Sequence, residues 1–132
     1  KSNFSYYEIP MCVKSRYNLL FEPYQFKNRL KKQTNYRRLI YIVSGRKKFI
    51  IFNQSNNKYL YLKNNVSQVD FWHNDPVIFP LFNNAKYIEV ILSDNMMISL
   101  PFNCIFTSIN ETEVTLIDMS SESFLSNILR KK

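Results

Sequence analysis

Short apolar segments separated by asparagine-rich breaks set the pattern of this chain. Leu39–Ser44, Lys47–Phe52, Lys58–Leu62, Lys86–Leu92, Met96–Leu100, Cys104–Ile109 and Glu113–Ile117 are strand-length and rich in β-branched and aromatic residues. Tyr59-Leu60-Tyr61-Leu62 and Val114-Thr115-Leu116-Ile117 predict half-buried strands. Gly45 is the only glycine, so other residues must make the turns. Asn53–Asn57, Asn64-Asn65, Asn83-Asn84 and Asp94-Asn95 stand where turns are needed. Asn and Asp tolerate left-handed backbone and make their own local hydrogen bonds. Short strands at this spacing predict an all-β sandwich or barrel.

The two ends read differently. From Ser120 onward, Phe124, Leu125, Ile128 and Leu129 share one helical face. Glu122 lies in the first turn and Arg130, Lys131 and Lys132 in the last, as the helix dipole prefers. A helix of about ten residues is marginal alone, so this face is expected to dock on the domain or on another protein. The first 31 residues include Phe4, Tyr6, Tyr7, Ile9, Leu19, Leu20, Phe21, Tyr24 and Phe26, with Pro10 and Pro23 breaking any long helix. They predict irregular structure or edge strands covering one end of the barrel. The expected organisation is one domain: a cover over 1–31, a β core over 32–118 and a C-terminal helix over 119–132.

Composition narrows the function classes. A chain of 132 residues with 45% hydrophobic content fits one folded domain. No apolar run approaches the roughly 18 residues that span a bilayer. The chain starts at Lys1 with no apolar signal core, which fits a processed product or a fragment. Cys12 and Cys104 are far apart, without CxxC spacing, and predict reduced thiols, not zinc or a disulfide framework. The net charge of +8 clusters at Lys31, Lys32, Arg37, Arg38, Arg46, Lys47 and Lys48. That stretch fits a solvated face, or an anionic partner such as RNA or a phosphate-bearing ligand. Tyr59 and Tyr61, beside Lys58 and Lys63, are the best base-stacking candidates for RNA. Asn-x-Ser/Thr occurs at Asn3, Asn53, Asn65 and Asn110, which a chain so rich in these residues produces by chance. The sole histidine, His73, has no nucleophile motif beside it and is read as a surface or capping residue.

Four motifs in order carry a family resemblance. Leu39–Phe52 reads as strand, Gly45 turn, then Gly-x-Lys and a strand; Ser67-Gln68-Val69-Asp70-Phe71, Phe79-Pro80-Leu81-Phe82 and Ile91–Pro101 follow. This series resembles the JmjC-type, cupin-like 2-oxoglutarate oxygenases, and most closely the asparaginyl hydroxylases acting on hypoxia-inducible factor. The resemblance implies a double-stranded β-helix, or jelly roll. It also implies an iron site built from His-x-Asp and a second His. At those positions this chain carries Lys32, Thr34 and Phe106. Iron(II) here needs two imidazoles and a carboxylate, so the resemblance implies a scaffold without metal or other cofactor. Lys47 occupies the place of the family lysine that grips 2-oxoglutarate. With Arg38 it is expected to make the pocket mouth electropositive and anion-binding.

The expected function is a catalytically inactive cupin-like module that serves as an interaction subunit of a larger assembly. Contacts are expected on the apolar N-terminal segment and on Phe124, Leu125, Ile128 and Leu129, and by family analogy a homodimer is an option. A mitochondrial location fits the basic, export-signal-free sequence, with a cytoplasmic one as the alternative. Rival readings are a divergent Fe(II)/2-oxoglutarate hydroxylase and a basic RNA-binding module.

Overall fold

In the computed structural model the described residues run from 12 to 123, with side chains described for 15–121. Among them, ten strands form two antiparallel sheets: β1 Cys12–Glu22, β2 Lys31–Lys32, β3 Arg37–Ser44, β4 Lys47–Phe52, β5 Leu62–Lys63, β6 Val66–Ser67, β7 Tyr87–Leu92, β8 Met97–Leu100, β9 Ile105–Asn110 and β10 Val114–Ser123. The four-stranded sheet runs β1-β10-β3-β8 and the six-stranded sheet β5-β6-β2-β9-β4-β7. Their inner faces pack together as a jelly roll, the all-β architecture expected from the sequence.

Burial divides the apolar residues into two cores. Ile40, Ile42, Leu100, Val114 and Leu116 meet Phe49, Leu92, Cys104 and Phe106 between the sheets. Ile50, Phe52 and Ile105 face the other way, against Leu30, Leu60, Val69 and Phe82. The segment 53–86 supplies that second layer and lies across the six-stranded sheet, with 3-10 helices at Gln54–Tyr59, Phe71–His73 and Pro80–Asn84. The six-stranded sheet is therefore covered on both sides. This explains the unbroken run Phe49-Ile50-Ile51-Phe52, since a strand buried on both faces has no polar side to alternate with.

Asparagine makes several of the turns. Asn64 and Asn65 take consecutive positive φ angles of 54° and 67° between β5 and β6, the left-handed pair that a two-residue hairpin requires. Asn95 does the same between β7 and β8, at φ 65°. Asn53 instead caps a 3-10 helix, its side chain accepting from the Ser55 N–H. Gly45 turns β3 into β4 at φ 107°, where an added Cβ would collide with the Glu113 carbonyl oxygen.

Two expectations are corrected. Lys58–Leu62 is not one strand: a 3-10 helix ends at Tyr59, Tyr61 has φ 53°, and β5 begins at Leu62. Tyr59 and Tyr61 therefore share no strand face, and Tyr61 is committed to an edge contact with Phe79 and to accepting the Leu81 N–H. At the C-terminal end β10 continues to Ser123, so 119–123 are strand where a helix was expected. The pairing of β10 with β1 from Val114 to Ser123 outweighs the helical signal. Phe124, Leu125, Ile128 and Leu129 lie outside the described residues. In the N-terminal region, where irregular structure or edge strands were expected, residues 12–22 form an edge strand.

Gly45→Ala is expected to cost about 2 kcal/mol or more, because the left-handed backbone and the carbonyl clash both oppose a side chain. A midpoint shift in urea unfolding, with unchanged slope, would register it.

Candidate functional site

Polar side chains gather at one end of the jelly-roll interior. A cavity of about 380 Å³ lies there, lined among others by Glu22, Phe26, Arg38, Lys47, Phe106 and Asp118. Lys47 is 1% exposed. Its Nζ donates to Glu22 Oε1 at 2.8 Å and to Asn110 Oδ1 at 2.7 Å. Asn110 Nδ2 returns to the same Glu22 oxygen at 3.1 Å and to the Pro23 carbonyl at 3.2 Å. Burial pushes the Lys47 ammonium below the ordinary lysine range, against the opposing pull of Glu22. Arg38 forks onto Asp118, with Nε to Oδ1 at 3.2 Å and Nη2 to Oδ2 at 2.8 Å, and its guanidinium lies 5.4 Å from the Phe106 ring centroid.

These pairs correct the expected electropositive mouth. Lys47 and Arg38 do meet at one cavity, but each carries its own carboxylate. Sequence reasoning missed both partners. Asp118 was legible in principle: Val114, Leu116 and Asp118 follow period two, which puts the acid on the buried side of its strand. Glu22 had no such signal, because its segment was read as irregular structure or edge strand with no register assigned.

Pleating decides the fate of the expected metal positions. β2 pairs Lys31 with Phe106 and Lys32 with Ile105. Cross-strand partners share a face, so Lys32 lies on the side of Ile105, away from Phe106. Thr34 is half-buried and, like Lys32, is not among the residues lining the cavity of Phe106. The residues on the Phe106 side are Lys31 and Gln33, one position earlier than expected, and a one-residue slip inverts every side chain. Gln33 is spent on structure. Its Nε2 donates to the carbonyls of Asn35 at 2.9 Å and Leu100 at 3.1 Å, and its Oε1 accepts from Asn35 N at 2.6 Å. His73 is exposed, 3.5 Å from Asp70, which caps its 3-10 helix.

The outer face of the four-stranded sheet inverts the usual alternation. Tyr17, Leu19 and Phe21 of β1 pair with Met119, Ile117 and Thr115 of β10. Leu39 and Tyr41 of β3 continue the row, and Met97 of β8 ends it. Tyr17 and Phe21 are 72% and 75% exposed, Leu19 57% and Met97 55%. Meanwhile Glu22, Arg38 and Asp118 point inward. Along this sheet Glu22, Arg38 and Asp118 are inside and an apolar row faces out, with the exposed Arg37 at its margin beside Leu39.

Residues 23–103 match the family model of the cupin-like domain. The chain belongs to the cupin-like family. No curated protein matches it in sequence. Among solved structures, this cupin-like chain is similar to an RmlC-like cupin from Shewanella frigidimarina, with a TM-score of 0.52 and 9% identity over 84% of this chain and 68% of that one. It is similar to hydroquinone 1,2-dioxygenase from Sphingomonas sp. TTNP3, at 0.56 and 9% identity over 86% and 63%. It is also similar to Drosophila melanogaster CENP-C bound to CAL1, at 0.51 and 8% identity over 80% and 63%. The chain thus spans less than two thirds of the length of the last two. At such identities the likeness is one of fold.

One of these structural neighbours is a dioxygenase, and the residues here do not suit the iron site that the sequence resemblance implies. Phe106 offers no donor, the Gln33 amide is consumed, and the Lys47 amine is committed to Glu22 and Asn110. Among the described residues no three His, Cys, Asp or Glu side chains cluster to hold an ion. Cys104 is a buried free thiol, pushed up to about 11 by burial, with Arg38 pulling the other way.

Two measurements follow from this interior. Lys47→Met is expected to destabilise the fold by about 3–5 kcal/mol, since it strands the Glu22 carboxylate, while adding Glu22→Leu recovers much of that; urea unfolding of the pair reads both. For Cys104, iodoacetamide at pH 8 is expected to modify its peptide about 100-fold or more slower in the native protein than in urea, read by mass spectrometry. The sign for stability agrees. Between 9.0 and about 11 the folded state keeps a proton that the unfolded chain has released, so this thiol's contribution falls as pH rises through that window.

Proposed function

We propose that this cupin-like chain is a non-catalytic module that makes protein contacts within an intracellular assembly. The observation that carries the reading is the apolar outer face of the β1-β10-β3-β8 sheet. A strand with one face in water ordinarily alternates apolar-in and polar-out. Here Tyr17, Leu19, Phe21 and Met97 face outward while the ionised groups are enclosed, an arrangement that favours burial of the outer face against another protein. The polar end of the barrel supports the same reading. Among the described residues its cations and carboxylates pair with one another: Lys47 with Glu22 and Arg38 with Asp118.

A fold-level precedent exists in CENP-C bound to CAL1, where a similar fold is seen with a protein partner. The finer lineage, an oxygenase of JmjC type that has lost its iron, rests on the Gly45-x-Lys47, Ser67–Phe71 and Phe79–Phe82 motifs. Shifted by one residue, its first ligand positions fall on Lys31 and Gln33. No helix among the described residues is long and apolar enough to cross a membrane.

A photo-cross-linking residue at Tyr17 is expected to form protein adducts in the native cell, whereas the same residue at Lys58, on the opposite side of the fold, is not. Adduct formation that ignores position would overturn the proposed surface. Succinate formation from 2-oxoglutarate by the purified chain with ferrous iron would overturn its non-catalytic character.

A further inference from the structure

We infer that β7 is a docking strand whose free edge takes an extended, acidic segment of another protein, added antiparallel to the six-stranded sheet. The site is separate from the outer face of β1, β10, β3 and β8 and stands or falls without it.

The first observation is an edge left open. β7 ends the order β5-β6-β2-β9-β4-β7, and among the described residues it pairs with β4 alone. In an antiparallel pair every second residue turns its N–H and C=O away from the partner. About half the backbone groups of Tyr87–Leu92 are thus offered to a further strand. Edges are ordinarily blunted by proline, bulges, charge or extreme shortness. β7 has no proline, and its register with β4 runs unbroken from Leu92 opposite Lys47 to Tyr87 opposite Phe52. Its one charge is Glu89, which lies 3.9 Å from Lys48 Nζ. The other edge strands are poorer templates. β5 has two residues and β8 four, while β1 carries Lys14 and Arg16.

The second observation is a cleft beside that edge. About 460 Å³ open between β7 and the turn after β8, lined among others by Ile51, Ile88, Pro101, Phe102 and Cys104. The cleft shares no lining residue with the cavity of Lys47 and Arg38. Ile88 pairs with Ile51 and Val90 with Phe49, which puts both on the side of the core between the sheets. Ile88 is nevertheless 61% exposed. A strand added beside it lays every second side chain along the same face, where an apolar residue covers Ile88 and reaches the cleft.

The third observation is charge, and it selects the occupant. Lys86 is the only charged residue lining the cleft. Its backbone N–H donates to Asn56 Oδ1 at 3.0 Å, but its exposed side chain has no ion pair among the described residues. On a chain of net charge +8 an acidic segment is drawn in and a basic one repelled. In an antiparallel addition the C-terminal part of the segment meets Lys86, so the carboxylate belongs there. The chain's own ends leave from the pair of Cys12 and Ser123, on the sheet that does not contain β7.

The probe is a fluorescein-labelled peptide of about nine residues that alternates valine and threonine and ends in glutamates, long enough to span β7. Its anisotropy with the purified chain is expected to show saturable binding with Kd below about 1 mM, the range of a weak contact. Ending the peptide in lysines is expected to weaken binding about 10-fold or more. N-methylation of one alternating set of residues should abolish binding and of the other set should not, because only one peptide edge donates to β7. Lys86→Glu should reverse the preference between the glutamate and lysine peptides. Ile88→Glu should weaken the glutamate peptide about 10-fold or more, with the parent's far-UV spectrum; Ile88→Ala serves if that variant does not fold. Absence of saturable binding overturns the inference, as does binding indifferent to N-methylation or to Lys86→Glu. Outward β7 amides already protected from exchange in the free chain overturn it as well, since a second copy or the chain's own ends then occupy the edge. Any of these failures leaves the Tyr17 cross-linking result, and with it the interaction reading, untouched.

Discussion

Everything at the open end of the barrel depends on keeping the Lys47 ammonium neutralised inside the protein. Taken from water, a lone ammonium costs several kcal/mol even after relaxation, so the fold must bring a carboxylate to it. Glu22 is that carboxylate, at the last residue of β1. The contact ties the edge strand of one sheet to β4 of the other. Asn110 bridges the two and also holds the Pro23 carbonyl, which fixes how the chain leaves β1. A pair of this kind contributes less to net stability than to uniqueness of arrangement. Apolar residues of similar volume would hold the sheets together as well, but would not dictate that Glu22 sits where it does.

Once polar groups occupy the interior, the outer face follows from the pleat. Successive side chains on a strand point to opposite sides. With Glu22 inward on β1, Phe21, Leu19 and Tyr17 are outward; with Asp118 inward on β10, Ile117 and Met119 are outward. The enclosed ion pairs and the exposed apolar row are two consequences of one register. That coupling explains why a strongly basic chain carries an apolar row at this place, with Arg37 at its margin. It also separates the two sheets by role: the six-stranded sheet takes its second layer from 53–86, and the four-stranded sheet has no such layer among the described residues.

The same pleat sets how much could be read in advance. β3, β4, β7, β8 and β9 were legible because their β-branched and aromatic runs end at Gly45 or at Asn and Asp turns, where local conformation is decided by few atoms. Lys58–Leu62 misled because an alternating Tyr-Leu-Tyr-Leu pattern suits a strand, while Asn53 capping and the buried Asn56 side chain favour a 3-10 turn. At the other end, Ser120–Glu122 resembled a helix start, yet pairing with β1 across ten residues supplied hydrogen bonds no isolated short helix matches. The interior site was half legible. Lys47, Arg38 and Phe106 came out together, but their partners Glu22 and Asp118 are 25 and 80 residues away and no local pattern joins them.

The one-residue displacement at β2 shows how a motif count differs from a structure. Counting back from Gly45 chose Lys32 and Thr34; the ladder with β9 places Lys31 and Gln33 on the Phe106 side instead. Either pair lacks an imidazole, so the chemistry excluded is the same, but the reason changes. With Lys32 and Thr34 the pocket would hold an uncompensated ammonium beside Phe106. With Gln33 it holds an amide whose donors and acceptor close the gap between β2 and the turn after β8, taking in the Leu100 carbonyl. A position that could otherwise face a ligand is thereby turned into a joint between two elements. The polar groups of this interior are understood through what they fasten: Gln33 fastens β2 to the β8 turn, Lys47 fastens β4 to β1, and Arg38 fastens β3 to β10.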